Sequence, residues 1–272
     1  MKKNSIFTNT LIISILAFIV LTLFLPETVS AKSLRVRKNG TGDFTTIQAA
    51  VNNANSGDTI YIGPGTYVEP VTIVGKTLSL IGSNRSKCII KYSTADYFNV
   101  PLYIQAGEVK NLTIIGHDGQ AGYAIHIDND YQFNRSISFS NCRIVSRNAQ
   151  QCLGIGTYGN NSISFNNCTF ESNTRVMFYH NTVRPELAGP SAINFNSCKF
   201  KGSGIEFING INFESSDPVT VTQTNCVNTF VVIPPPAEPE PVDPAPVQPT
   251  PAQPAPAQPD PSLPAITSVV AN

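Results

Sequence analysis

The stretch "SISFNNCTFES", residues 162–172, alternates apolar and polar side chains and sets Asn167 beside Cys168 in mid-pattern. Alternation of period two reads as a strand with one face buried. The phrase recurs as "SISFSNCRIVS" (136–146), "AINFNSCKFKG" (192–202) and "VTVTQTNCVNT" (219–229). Cys142, Cys168, Cys198 and Cys226 stand 26, 30 and 28 residues apart. A repeat of that length made of short alternating strands is the mark of a solenoid.

A parallel β-helix meets these requirements. Its coils stack at ~4.8 Å, the spacing of hydrogen-bonded strands, so equivalent positions form columns. Asn141, Asn167, Ser197 and Asn225 each precede a cysteine, at the bend between two strands. Stacked Asn side chains there can bond along the axis, and Asn tolerates the left-handed backbone that a tight bend needs. The cysteines then form a buried column of small side chains. Disulfides are the alternative that secretion suggests. Strand spacing nevertheless exceeds the Cβ separation of ~3.8 Å in a bridge, which favours free thiols. Cys88 and Cys152 sit in apolar runs and read as core.

Both ends of the 272-residue chain differ in kind from its middle. Residues 1–31 join Lys2 and Lys3 to an apolar run from Ile12 to Leu25 and the small-x-small site Val29-Ser30-Ala31, a secretory signal peptide or, alternatively, a retained anchor. From Pro234 to Pro264 proline recurs every two or three residues, so 234–272 reads as an extended linker or tail. The middle, 32–233, holds 16 Lys+Arg against 13 Asp+Glu. So small a surplus, without basic clusters, argues against a nucleic-acid partner and would tolerate an acidic polysaccharide.

At the start of that domain, Thr45-Thr46-Ile47-Gln48 is a capping-box pattern. Phe44, Ile47, Ala50, Val51 and Ala54 follow at helical spacing. A short helix ending near Gly57 is predicted to cap the open first coil. "TIYI" (59–62) and "VTIV" (71–74) follow it as strands.

The run from Val36 to Val51, "VRKNGTGDFTTIQAAV", followed by "GTYVE" (65–69), resembles the opening of pectinesterases, of the pectin-lyase-like superfamily. The resemblance covers residues 34–82, with fainter echoes to about 200. It implies an all-β, right-handed parallel β-helix and a polysaccharide partner, pectin-like first. It also implies a catalytic apparatus of two Asp residues, oxyanion-stabilising glutamines and a substrate-binding Arg. The nearest counterparts of the segments carrying that apparatus are "YAIHI" (123–127), "QCL" (151–153) and "RVMF" (175–178). The first lacks the glutamine and the other two lack the Asp. The chain also has no Trp, which the family's last motif contains. The family's catalytic residues are therefore not carried over.

A different exterior strip is the candidate ligand surface. His126, Asp128 and Asp130 alternate with Ile125 and Ile127, so the polar three share one face of a strand. Tyr158, Tyr179 and His180 join them from later coils, with Arg184 in the following loop. Such a strip would stack sugar rings, hold Ca²⁺ on its carboxylates, or do esterase or lyase chemistry; an ordinary solvated face is the plainer reading. No motif requires a metal or cofactor. The Asn-x-Ser/Thr triplets at Asn84, Asn111, Asn134 and Asn160 read as turns and ladder positions. Two functions follow: a divergent pectinesterase-like carbohydrate esterase, or a non-catalytic carbohydrate-binding module displayed at the cell surface or wall on its proline-rich tail.

Overall fold

The computed structural model describes residues 30–92, 100–116, 123–127, 135–146, 151–156, 159–172, 175–180, 188–202, 211–213 and 219–230. Residues 1–29 of the expected signal peptide and the tail 234–272 lie outside them. The chain winds through three parallel sheets in rotation. Among the described residues the first sheet has eight strands, from Ser33–Val36 and Thr59–Ile62 through Gly159–Asn166 and Ala188–Asn196 to Val219–Thr224. The second has six, from Gly65–Val68 to Lys199–Gly202, and the third six, from Val71–Ile73 to Ile211–Phe213. Each strand pairs with its counterpart one coil away, which makes the fold a parallel β-helix. Crossovers between parallel strands wind right-handed in nearly all proteins, in keeping with the expected hand.

Register turns sequence period into columns. Ile60, Leu80, Val109, Phe139, Phe165 and Phe195 stack along the inner face of the first sheet. Ile90, Ile114, Ile144, Phe170 and Phe200 do so in the second. All are fully buried. The rings of Phe139 and Phe165 stack at 4.9 Å, Phe165 and Phe195 at 5.1 Å, and Phe170 and Phe200 at 5.4 Å. Edge contacts of 5.3–5.5 Å lock the two columns together. Phe230 then packs edge-on against Phe195 and Phe200. Gln223, which continues the column beyond Phe195, holds Phe230 by bonding both its backbone carbonyl and its N–H.

The bend before each cysteine is left-handed. Asn141, Asn167, Ser197 and Asn225 have φ of 52°, 53°, 54° and 53°, and Asn111 begins the column at 56°. Asn141 Nδ2 donates to Asn111 Oδ1 at 2.8 Å and Asn167 Nδ2 to Asn141 Oδ1 at 3.5 Å. Leu112 fills the thiol position below Asn111, which is why the repeat is hard to see there. All six cysteines are free thiols. Cys142, Cys168, Cys198 and Cys226 each donate Sγ–H to a carbonyl of the coil before, at 3.3–3.6 Å. Cys88 and Cys152 are buried, as expected.

One helix occurs among the described residues, Ile47–Asn53, with Thr46 as its N-cap. Ile47, Ala50 and Val51 are buried, and the helix packs on strands Ser33–Val36, Thr59–Ile62 and Val71–Ile73. Its first turn is also satisfied from a distance: Glu69 accepts from Ile47 N at 2.9 Å and Gln48 N at 3.0 Å. Gln48 in turn accepts from Thr72 N and donates to its carbonyl. Tyr67 Oη donates to Gly63 O. Asp58 accepts from Lys32 N and Asn55 N, and those bonds hold its carboxyl below the usual range.

The ladder's contribution is measurable. Asn141→Ala should cost about 1–3 kcal/mol in urea unfolding, combining a lost hydrogen bond with a left-handed Cβ penalty. Asn141→Gly should recover the backbone part, and Ser197→Asn should stabilise. Phe165→Ala, at the centre of the ring stack, should cost about 3–5 kcal/mol.

Candidate functional site

The predicted site strand is Ile125–Ile127, in the third sheet. Ile125 and Ile127 are buried in the core, so His126 points to the outer face, as the alternation requires. Thr72, Tyr103, His126 and Gly154 share one register column on that face. His126 is nevertheless only 5% exposed. Tyr103 meets the imidazole edge-on at 5.1 Å and Tyr123 lies tilted at 5.5 Å. The Tyr123 ring extends over Gly154, where an added Cβ would fall 2.2 Å from Cε2. The absence of a side chain at Gly154 leaves the space that the tyrosine ring occupies. The result is a packed aromatic layer in which the imidazole is enclosed.

Of the other predicted site residues, Asp128, Asp130, Tyr158 and Arg184 lie outside the described residues. Tyr179 pairs with Ile155 and His180 with Gly156. Tyr179 thus occupies the register position held by Ile73, Ile104, Ile127 and Ile155 in earlier coils. Sequence reasoning missed Tyr103, Tyr123 and Gly154. Tyr103 follows from register once the coils are aligned; Gly154 is a small residue at an outward position, which is the available signal for something lying across it.

The segments "QCL" (151–153) and "RVMF" (175–178), which lack the Asp, are equally informative. Cys152, beside Gln151, is fully buried, and its Sγ donates to Glu171 O at 3.5 Å and Ile144 O at 3.8 Å. Burial pushes this thiol up to about 12. Arg175 is half-buried, and its Nε, buried, has no hydrogen-bond partner among the described residues. Neither position offers a carboxylate. Among the described residues no group of three or more His, Cys, Asp or Glu side chains is placed to hold a metal ion.

No family model and no curated protein matches the chain. Among solved structures it is similar to a pectin methylesterase from carrot, with 15% identity and a TM-score of 0.40 over 76% of this chain and 88% of that one. A pectin methylesterase from Aspergillus niger gives 15% identity and a TM-score of 0.41 over 71% and 84%. Pectin methylesterase PemA from Erwinia chrysanthemi gives 14% identity and a TM-score of 0.33 over 71% and 80%.

The buried thiol makes a pH prediction. Cys152 binds its proton more firmly folded than unfolded, so its stabilising effect is complete below the ordinary thiol pKa of ~8.5 and is lost as pH rises toward the folded value. Stability measured by urea unfolding should therefore fall above pH ~8.5, this thiol contributing up to about 1.4 kcal/mol per pH unit. Cys152→Ala should flatten that slope; an unchanged slope would contradict the assignment.

Proposed function

We propose that this chain is a secreted, polysaccharide-binding β-helix that recognises glycans without cleaving or de-esterifying them, carried on its proline-rich tail at a cell surface or wall. The observation that supports this most is Cys152. In the pectinesterases that the opening resembles, catalysis rests on a pair of carboxylates serving as nucleophile and acid/base. Here the thiol beside Gln151 is buried in the core and held protonated, and a guanidinium stands at the other position. A buried thiol with so high a pKa supplies neither a nucleophile nor a proton at neutral pH.

The polar residues that carry the resemblance have structural employment. Gln48 and Glu69 bind the helix to the first coil, Tyr67 bonds Gly63, and Asp43 accepts from Arg35 N. The shared motif therefore speaks for shared architecture. A pectin-like polymer stays the first glycan to test, because the domain's surplus charge is positive. The competing reading, a divergent esterase using His126 with Asp128, draws on the imidazole's place in the aromatic layer.

One experiment separates the two. The secreted chain is incubated with pectin, acetylated xylan and homogalacturonan; methanol, acetate and unsaturated products are measured, and retention of the same glycans is followed by affinity electrophoresis. Retention with no product is expected. Product formation abolished by His126→Ala or Asp128→Ala would overturn the binding assignment in favour of the esterase.

A further inference from the structure

An open groove lies away from His126, on the outer face of the first sheet. Arg35, Tyr61, Ile81 and Lys110 occupy successive coils of one register column. At ~4.8 Å per coil they form a strip ~14 Å long parallel to the axis. A groove of about 460 Å³ runs beside it, lined by Arg35, Arg37, Tyr61, Ile81 and Ser83, among others. It adjoins at Ser83 a second, polar hollow of about 360 Å³, lined by Asn84, Arg85, Ser86, Asn111 and Asn141. Asn111 and Asn141, at the head of the amide ladder, line this second hollow.

Charge in the groove is one-sided. Neither lining contains an Asp or a Glu. Among the described residues Arg35, Arg37 and Arg85 form no ion pair: the salt bridges there join Lys110 to Glu108 and Arg143 and Lys201 to Glu171. The nearby Asp43 carboxylate accepts from the backbone N–H of Arg35. Arg37 is held in place. Its guanidinium lies on Gly63, where a Cβ would fall 2.5 Å from Cδ and 2.6 Å from Nη1, and Nη1 donates to Val36 O. Tyr61, on the second strand of the sheet, is 42% exposed and presents its ring to solvent.

We infer that this groove is a binding site for an acidic glycan chain laid along the solenoid axis, with a uronate carboxylate on the Arg35 and Arg37 guanidinium groups of the first coil and a sugar ring on Tyr61 of the second. Guanidinium forks match carboxylates in two-point geometry. An aromatic face beside an aliphatic one, here Tyr61 and Ile81, suits the C–H face of a pyranose, and the amide and hydroxyl groups of the second hollow suit its hydroxyls. A hexose unit advances along a polymer by close to one coil spacing, so successive sugars meet successive coils. The inference rests on the polysaccharide-binding reading and assigns it a surface, on a different sheet from the His126 layer.

The test uses the full chain and affinity electrophoresis with polygalacturonate, its fully methyl-esterified form and a neutral glucan. The wild type should bind polygalacturonate best, and binding should weaken as salt rises. Arg35→Gln with Arg37→Gln should lower the affinity tenfold or more, because both charge-assisted bonds to the carboxylate are lost. Gly63→Ala removes no charge yet displaces the Arg37 guanidinium, and should lower affinity severalfold with the melting temperature unchanged; Tyr61→Ala should act similarly on all three polymers. Equal polygalacturonate affinity in wild type and the doubly substituted chain, both folded, would overturn the groove while leaving glycan binding in place. Failure of the wild type to bind any of the three would overturn both.

Discussion

Stacking parallel coils in register forces one bend per coil into the same place, and the backbone there must turn left-handed. That constraint organises the molecule. In five successive coils, from Asn111 to Asn225, a residue takes φ between 52° and 56°, and four of the five are asparagine. Asparagine accepts that geometry and, in the same position, offers an amide to the coil above and below. Once the bend is fixed, the next residue must turn inward in a narrow corner. A thiol fits because it is small, and its weak donor finds the carbonyl of the previous coil. The phenylalanine stacks then follow from register alone, since Phe139, Phe165 and Phe195 lie at a fixed offset before each bend.

Those columns made the architecture legible in the sequence. The period-two pattern located the inner face, and the Asn-Cys pair marked the corner. What escaped were features in which one column member changes identity. Leu112 replaces the thiol below Asn111, and Gln223 replaces the phenylalanine beyond Phe195. The Gln223 exchange is functional in folding terms, because its amide clamps Phe230 over the last rings. Glu69 was also hidden: its carboxylate serves a helix some twenty residues earlier, a contact that no local pattern announces.

The candidate site was less legible for a physical reason. Alternation tells which face a side chain takes, and it put His126 on the outer face. It does not tell what lies over that face. Tyr123 covers Gly154 and helps enclose the imidazole, an arrangement set by a glycine in the next coil. The arginine groove depends likewise on Gly63, which leaves room for the Arg37 guanidinium. In both places the residue that decides the surface is one without a side chain. Gln48 and Glu69, in the stretch that resembles the opening of pectinesterases, are by contrast engaged in joining the helix to the first coil.

The stacking claim is tested most directly by locating the sulfurs. Crystals of the domain measured at long wavelength give an anomalous map in which each sulfur appears independently of chain tracing. Cys142, Cys168, Cys198 and Cys226 should appear as a row of four separate peaks at the ~4.8 Å strand spacing, parallel to the axis. Peaks scattered through the map, or fused in pairs at the ~2 Å of a disulfide, would contradict it.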